Sequence, residues 1–386
     1  MGFVEYLQVP ELAQRYAKIR KYFFLRESAY DVTSVCQLRC EGCYYFQGDK
    51  YTMNDQKDPE EWRAFFQGEK ERGITYVVLA GAEPGVVPKI LRACYDVIPL
   101  GSIASNGLRR IDPEVGYRLH LSVWGDSTGD PKYRKYANGR PGPNCLPVQI
   151  ENYRDDRRVI FVYTFNDENV DQLDEVLERV SDAGHRLSFN VFSDPQKCNS
   201  PLKLRANLKR ARDKMIQALE EYPETVVYSY YNAEVHTRVS SLHGQFGCPY
   251  PRAQLAAGTV PTGLSRSFRS YRTDLSHRPE SDCCVPDTDC SDCRHYAAGS
   301  AIVSSRLAMH VDCERRFRGW LDYVDTYLAT WLIDYRRDEP LYTLSDHLAS
   351  LAEIDEEEAE GVHAGMPAEP LPAGPGGGAS WTGAGG

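Results

Sequence analysis

Between residues 28 and about 195 the chain repeats one pattern: a short apolar run, then a longer polar stretch with helical spacing. The runs are AYDVTSV (29–35), TYVVLAG (75–81), GSIAS (101–105), LHLSVWG (119–125), RVIFVYTFN (158–166) and RLSFNVFS (186–193). Several are nearly continuous in Val, Ile, Leu and Tyr, the composition of parallel strands buried on both faces. Helical stretches fall at 58–72, 86–98, 168–184 and 203–222. Within NVDQLDEVLERVSDAG, Val170, Leu173, Val176, Leu177 and Val180 recur at helical spacing, and Gly184 stands at the C-cap. Six strand–helix units without an internal repeat predict an α/β fold, either a barrel or a doubly wound sheet.

The rest of the chain divides by character. Residues 1–27 read as an N-terminal helical segment, 28–225 as the strand–helix body, 226–350 as a cysteine-rich region followed by a long helix, and 351–386 as an acidic then Gly/Pro-rich tail. The tail cannot bury enough apolar area to offset its ordering entropy and is expected to stay disordered. Phe317, Trp320, Leu321, Val324, Leu328, Trp331 and Tyr335 trace one face of the long helix, a stripe for core packing. A net charge of −10 argues against a general grip on nucleic acid. The basic stretch PLKLRANLKRARDK (201–214) reads as a solvated helix face. No run approaches the roughly 20 apolar residues of a membrane span, and the N-terminus has no signal core. The expected location is cytoplasmic, where thiols stay reduced. Twelve cysteines in such a chain point to metal binding or redox chemistry rather than disulfides.

SVCQLRCEGCYYF (34–46) places Cys36, Cys40 and Cys43 on a loop just beyond the first strand. In strand–helix folds that end of the sheet is where ligands bind. Three thiolates on one loop suit a four-iron cluster whose fourth iron has no protein ligand; the alternative is a zinc knuckle closed by a remote residue. Some 30 residues on, Gly81-Ala82-Glu83-Pro84 sits where the second strand ends. Small residues there let backbone approach a ligand closely, and Glu83 is positioned to accept from an ammonium group.

With these two motifs the chain resembles the radical S-adenosylmethionine (SAM) superfamily: CX3CX2C at 36–43 and a GGEP-like motif at 81–84, over roughly residues 28–220. The resemblance implies a partial (β/α)6 TIM-type barrel. It implies a 4Fe–4S cluster held by Cys36, Cys40 and Cys43, with SAM chelating the open iron. Reductive cleavage of SAM would then give methionine and a 5′-deoxyadenosyl radical that abstracts a substrate hydrogen, the electron coming from an external donor of flavodoxin or ferredoxin type. Gly81, Ala82, Glu83 and Pro84 match the motif that holds the methionine amino group. Ser105, Asn106, Ser122, Thr164 and Asn166 occupy the strand ends where the family binds SAM carboxylate and ribose. The chain departs from the pattern twice. Gly42 stands where an aromatic residue usually touches adenine, leaving Tyr44 and Tyr45 as substitutes, and Ala82 replaces the second glycine.

A second cysteine group comprises Cys248, Cys284, Cys290 and Cys293. Four thiolates would close a zinc site. The region also resembles the "twitch" or "SPASM" extensions of radical SAM enzymes, which implies a second, auxiliary 4Fe–4S cluster. Cys283 and Cys313 are alternates, and Cys94, Cys145 and Cys198 read as ordinary thiols.

Peptide-modifying members of the superfamily commonly add a leader-binding N-terminal domain, whereas here the barrel begins near residue 28. The expected substrate is therefore a small polar molecule (a sugar, aminocyclitol or nucleoside of natural-product, such as antibiotic, biosynthesis), epimerised or dehydrogenated at a carbinol carbon. Peptide modification is the alternative, and a metal-stabilised binding protein without catalysis is a third reading. The loop WGDSTGDPKYRKYANGRPGP (124–143) offers Trp124, Asp126, Lys132 and Arg134 to a polar substrate.

Overall fold

The computed structural model describes residues 3–46, 54–193, 203–248, 268–278, 293–294 and 301–335. The tail from 351 onward, Trp381, Cys198, Cys283, Cys284 and Cys290 lie outside them. The strands are β1 (Glu27–Asp31), β2 (Tyr76–Ala80), β3 (Gly101–Ser105), β4 (Arg118–Val123), β5 (Val159–Phe165), β6 (Leu187–Val191) and β7 (Ser270–Tyr271). All pair in parallel, in the order β6-β5-β4-β3-β2-β1-β7. From β1 to β6 each strand lies beside its successor without reversal, whereas a doubly wound sheet reverses at its switch point. The fold is thus α/β of the partial TIM-barrel type.

The six strands read from the sequence are all present, with a seventh that was not foreseen. β7 comes from the cysteine-rich extension and pairs with β1 at Ala29↔Ser270 and Tyr30↔Tyr271. Two residues carry no readable periodicity. What seats β7 is a buried carboxylate: Glu69 accepts from the Tyr30 hydroxyl (2.5 Å), the Tyr271 hydroxyl (2.9 Å) and Arg72 Nη2 (2.5 Å). Glu69 lies on helix Pro59–Glu71, which Asp58 caps by accepting from Glu60 N at 2.9 Å, and which buries Trp62 and Phe66. Helix Leu173–Asp182 buries Leu173, Val176, Leu177 and Val180, and Gly184 ends it at φ +67°. Its expected first turn is a 3-10 segment, Val170–Gln172.

The N-terminal helices Phe3–Tyr6 and Pro10–Arg20 pack on the long helix Glu314–Trp331, where Tyr6 stacks on Phe317 and Arg15 pairs with Asp322 at 2.5 Å. The expected stripe from Phe317 to Trp331 is buried on that helix, whereas Tyr335, also buried, lies beyond its end. Its C-terminal carbonyls meet the amino ends of the strands: Arg118 Nη2 donates to Ala329 O and Leu332 O (both 2.9 Å), and the Tyr76 hydroxyl to Trp331 O (2.9 Å). Helix-end carbonyls without intrahelical partners are satisfied in this way, beneath the barrel. Among the described residues no helix is long and apolar enough to cross a membrane.

Candidate active site

The chain leaves β1 at Asp31, and Asp55 fixes its path by accepting from Thr33 Oγ1 (3.0 Å) and Ser34 N (2.8 Å). The cysteine loop then pairs antiparallel with residues 133–136 beyond β4. Arg39 N donates to Lys135 O (2.6 Å), Glu41 N to Tyr133 O (2.8 Å), and Leu38 bridges Tyr136. Gly42 closes the turn at φ +71°, a conformation that disfavours an aromatic side chain there. Cys36, Cys40 and Cys43 lie close together: Cys43 raises the proton affinity of Cys36 and of Cys40, and Cys36 raises that of Cys40. Burial, before the neighbouring thiols, pushes Cys36 up to about 11 and Cys40 up to about 12. Among the described residues no three His, Cys, Asp or Glu side chains are already gathered around a metal-sized point. The donor set nonetheless fits a soft metal centre: three thiols on one pinned loop, which a metal would bind as thiolates with release of their protons.

Directly across from the loop stands the turn after β2. Gly81 has φ +114°, and a Cβ there would lie 2.7 Å from Thr33 O, so the two strand exits meet backbone to backbone. Gly81 N donates to the Tyr44 hydroxyl at 3.0 Å. Glu83 is fully buried, and burial raises its pKa despite three donors: Oε1 accepts from Gly85 N (2.9 Å) and Ser105 Oγ (2.7 Å), Oε2 from Asn106 N (2.8 Å). Asn106 extends the network to the cysteines, its Nδ2 lying 3.7 Å from Cys36 Sγ and its Oδ1 accepting from Gln37 Nε2 at 3.2 Å. Cys36, the Gly81–Pro84 turn, Ser105 and Asn106 therefore form one connected site at the carboxyl ends of β1, β2 and β3.

No family model matches the chain. A curated relative, the sporulation killing factor maturation protein SkfB of Bacillus subtilis (strain 168), is 26% identical over 168 residues, 40% of this chain and 39% of that protein. The chain thus spans about two-fifths of the length of the relative it matches. Among solved structures, hexahistidine-tagged anSMEcpe with bound AdoMet superposes at TM-score 0.50 with 13% identity, covering 87% of this chain and 97% of that one. Streptococcus suis SuiB bound to precursor peptide SuiA superposes at TM-score 0.45 with 14% identity, covering 70% of this chain and 63% of that one. The superposition on the AdoMet-bound chain shows a shared fold. The similarity to SkfB and the shared fold support the resemblance to the radical SAM superfamily.

The structure revises several roles expected at this site. Glu83 was expected to meet an ammonium group, but its two oxygens are engaged by three protein donors. Tyr45 is fully buried and Tyr44 is the ring at the turn. Asp126 is turned back on its own loop, accepting from Thr128 N (2.9 Å), Thr128 Oγ1 (2.7 Å) and Gly129 N (2.8 Å). Lys132 pairs with Glu168. Arg134 is buried rather than offered to substrate: its Nε donates to Asp130 Oδ1 (2.8 Å), and its Nη2 to Ser122 O and Ser122 Oγ (3.0 Å). Trp124 is half-buried against Phe192 and Tyr133. Thr164 and Asn166 lie at the end of β5, where Asn166 Oδ1 accepts from Glu168 N (2.9 Å); its buried Nδ2 has no partner among the described residues.

Two residues were missed. Gln149 Nε2 donates to Asn106 O (2.8 Å) and Ser122 O (3.0 Å), clamping the exits of β3 and β4. Asn169 does the same between Trp124 O (2.9 Å) and Thr164 O (2.8 Å). A lone amide in a helical stretch gives no sequence signal for such a clamp. Of the second cysteine group, Cys248 and Cys293 meet in one small apolar cluster with Phe268. Cys313 is elsewhere, at the N-cap of the long helix.

Proposed function

We propose that this chain is a radical SAM enzyme that modifies a peptide, removing hydrogen from one of its carbon atoms. The observation that carries the reading is the similarity to a killing factor maturation protein, since maturation acts on a precursor. The geometry supports it in two ways. Asp126 and Arg134, offered to a small polar substrate on sequence grounds, are engaged by the protein itself, Asp126 within its own turn and Arg134 in a buried ion pair. Beside the cysteine loop Val35 (57% exposed) and Tyr136 (41% exposed) offer apolar surface that suits peptide side chains, among the exposed polar Gln37 and Lys132.

In this reading Cys36, Cys40 and Cys43 hold the 4Fe–4S cluster that SAM joins, and the cluster supplies the electron for SAM cleavage. Gly81 and Ala82 present backbone to the methionine end of SAM. Tyr44 packs on that backbone, and Glu83 fixes Ser105 and Asn106 at their strand ends. Asn166 offers its free Nδ2 to the ligand. Cys248 and Cys293, with Cys284 and Cys290, hold a second cluster, and an external low-potential protein delivers the electrons.

The test is anaerobic reconstitution, followed by incubation with SAM, dithionite and peptides encoded next to this gene. The expected result is 5′-deoxyadenosine together with a mass change in one peptide. Deuterium incorporation in D₂O would indicate epimerisation, and loss of two hydrogens dehydrogenation. Turnover of an aminocyclitol or nucleoside with every peptide left unchanged would overturn the proposal.

A further inference from the structure

The pairing of the cysteine loop with residues 133–136 has an electrostatic consequence. Arg39 N bonds Lys135 O and Glu41 N bonds Tyr133 O, so Cys40 stands directly opposite Arg134. In an antiparallel pair, directly opposed residues project from the same face. The Arg134 side chain is 1% exposed and held from two sides, by Asp130 Oδ1 and by the carbonyl and hydroxyl of Ser122. Asp130 is held in turn by Trp124 N (3.1 Å) and Cys145 N (2.9 Å). Neither charge has room to swing away.

We propose that the Arg134 guanidinium is a fixed counter-charge beneath Cys40 that makes a cluster bound by the loop easier to reduce, and that Asp130 tempers it. This rests on the reading of Cys36, Cys40 and Cys43 as cluster ligands. Adding one electron from a reductant makes the site one unit more negative, and a buried cation nearby stabilises that form. Arg134 is thus a positioning residue, distinct from the groups that touch SAM or substrate.

The experiment is a dithionite titration of the reconstituted protein against redox mediators, following by EPR the component whose signal changes on adding SAM. Arg134→Gln should lower the reduced-to-oxidised ratio at fixed potential at least tenfold, about 59 mV for a one-electron couple. Asp130→Asn should raise it, and Arg134→Lys should stay near the wild type. Opposite signs are what a structural role cannot produce, since loosening the loop would move both variants the same way. If Arg134→Gln fails to take up iron, the upward shift of Asp130→Asn decides. Wild-type potentials in the variants, or shifts of one sign, overturn the proposal. A wild type that binds no iron overturns the cluster reading itself, and this inference with it.

Discussion

Glu83 acts inside the protein, joining the exits of β2 and β3 through Gly85, Ser105 and Asn106. Hydrogen bonds to a charged group contribute about 1.5–3 kcal/mol each, and donors left without an acceptor in a buried site cost more than a missing contact. Glu83→Ala should therefore lower stability by about 1.5–3 kcal/mol and weaken SAM binding, through displacement of Asn106 beside Cys36. Urea unfolding and equilibrium dialysis with SAM check both. Lost SAM affinity at unchanged stability would restore the direct contact that the sequence suggested. The neighbouring small residues should separate cleanly. Gly81→Ala meets Thr33 O at 2.7 Å in a left-handed conformation and should abolish SAM binding. Ala82→Gly, which restores the superfamily's second glycine, should leave it nearly unchanged. Both the motif and its position were legible because a glycine at a strand exit leaves a mark in sequence. The inward turn of Glu83 left none.

At the scale of elements, the loop after β4 shows what polar composition conceals. Trp124, Asp126, Lys132 and Arg134 suggest a substrate-facing loop, because charged residues outside strands are usually solvated. The sign to the contrary was the i,i+4 spacing of Asp130 and Arg134, a pair the structure buries under the cysteine loop. Gly142→Ala tests that brace: a Cβ 2.0 Å from a backbone oxygen must push the strands of the loop apart. The variant should lose iron faster than wild type during desalting with a chelator, and equal retention would show that the loop does not support the cysteines. The segment near residue 310 carries a pH dependence of its own. Burial pushes His310 down from 6.5 to about 4, against the Arg306 carbonyl, which its Nδ1 meets at 2.8 Å. Between those values the unfolded chain binds a proton that the folded chain refuses, so this contribution is full above pH 6.5 and is lost as pH falls toward 4. Urea midpoints of metal-free protein across that range should fall with acid, and His310→Gln should flatten the slope.

For the whole molecule, the barrel was legible because six apolar runs alternate with amphipathic stretches, and hydrophobic period is the signal that survives into sequence. What closes the barrel was not. β7 is two residues long, and the long helix announces its buried stripe without saying what lies beneath it. In the structure that helix ends under the sheet, and its carbonyls receive Arg118 and Tyr76. Arg118 is buried with its pKa lowered to about 10 by that burial, and those carbonyls are the partners that offset its desolvation. The N-terminal helices depend on the same partner through Tyr6, Phe317 and Asp322. A division at residue 225 therefore follows the sequence but cuts through the packing. Residues 1–225 alone should lack a cooperative unfolding transition, exposing both the floor of the barrel and the β1 edge that Ser270 and Tyr271 cover. Urea titration of the metal-free fragment, followed by tryptophan fluorescence and far-ultraviolet circular dichroism, reads this directly. A single sharp transition at the midpoint of the full chain would show that the six-strand barrel is self-sufficient and that the C-terminal helix only leans against it.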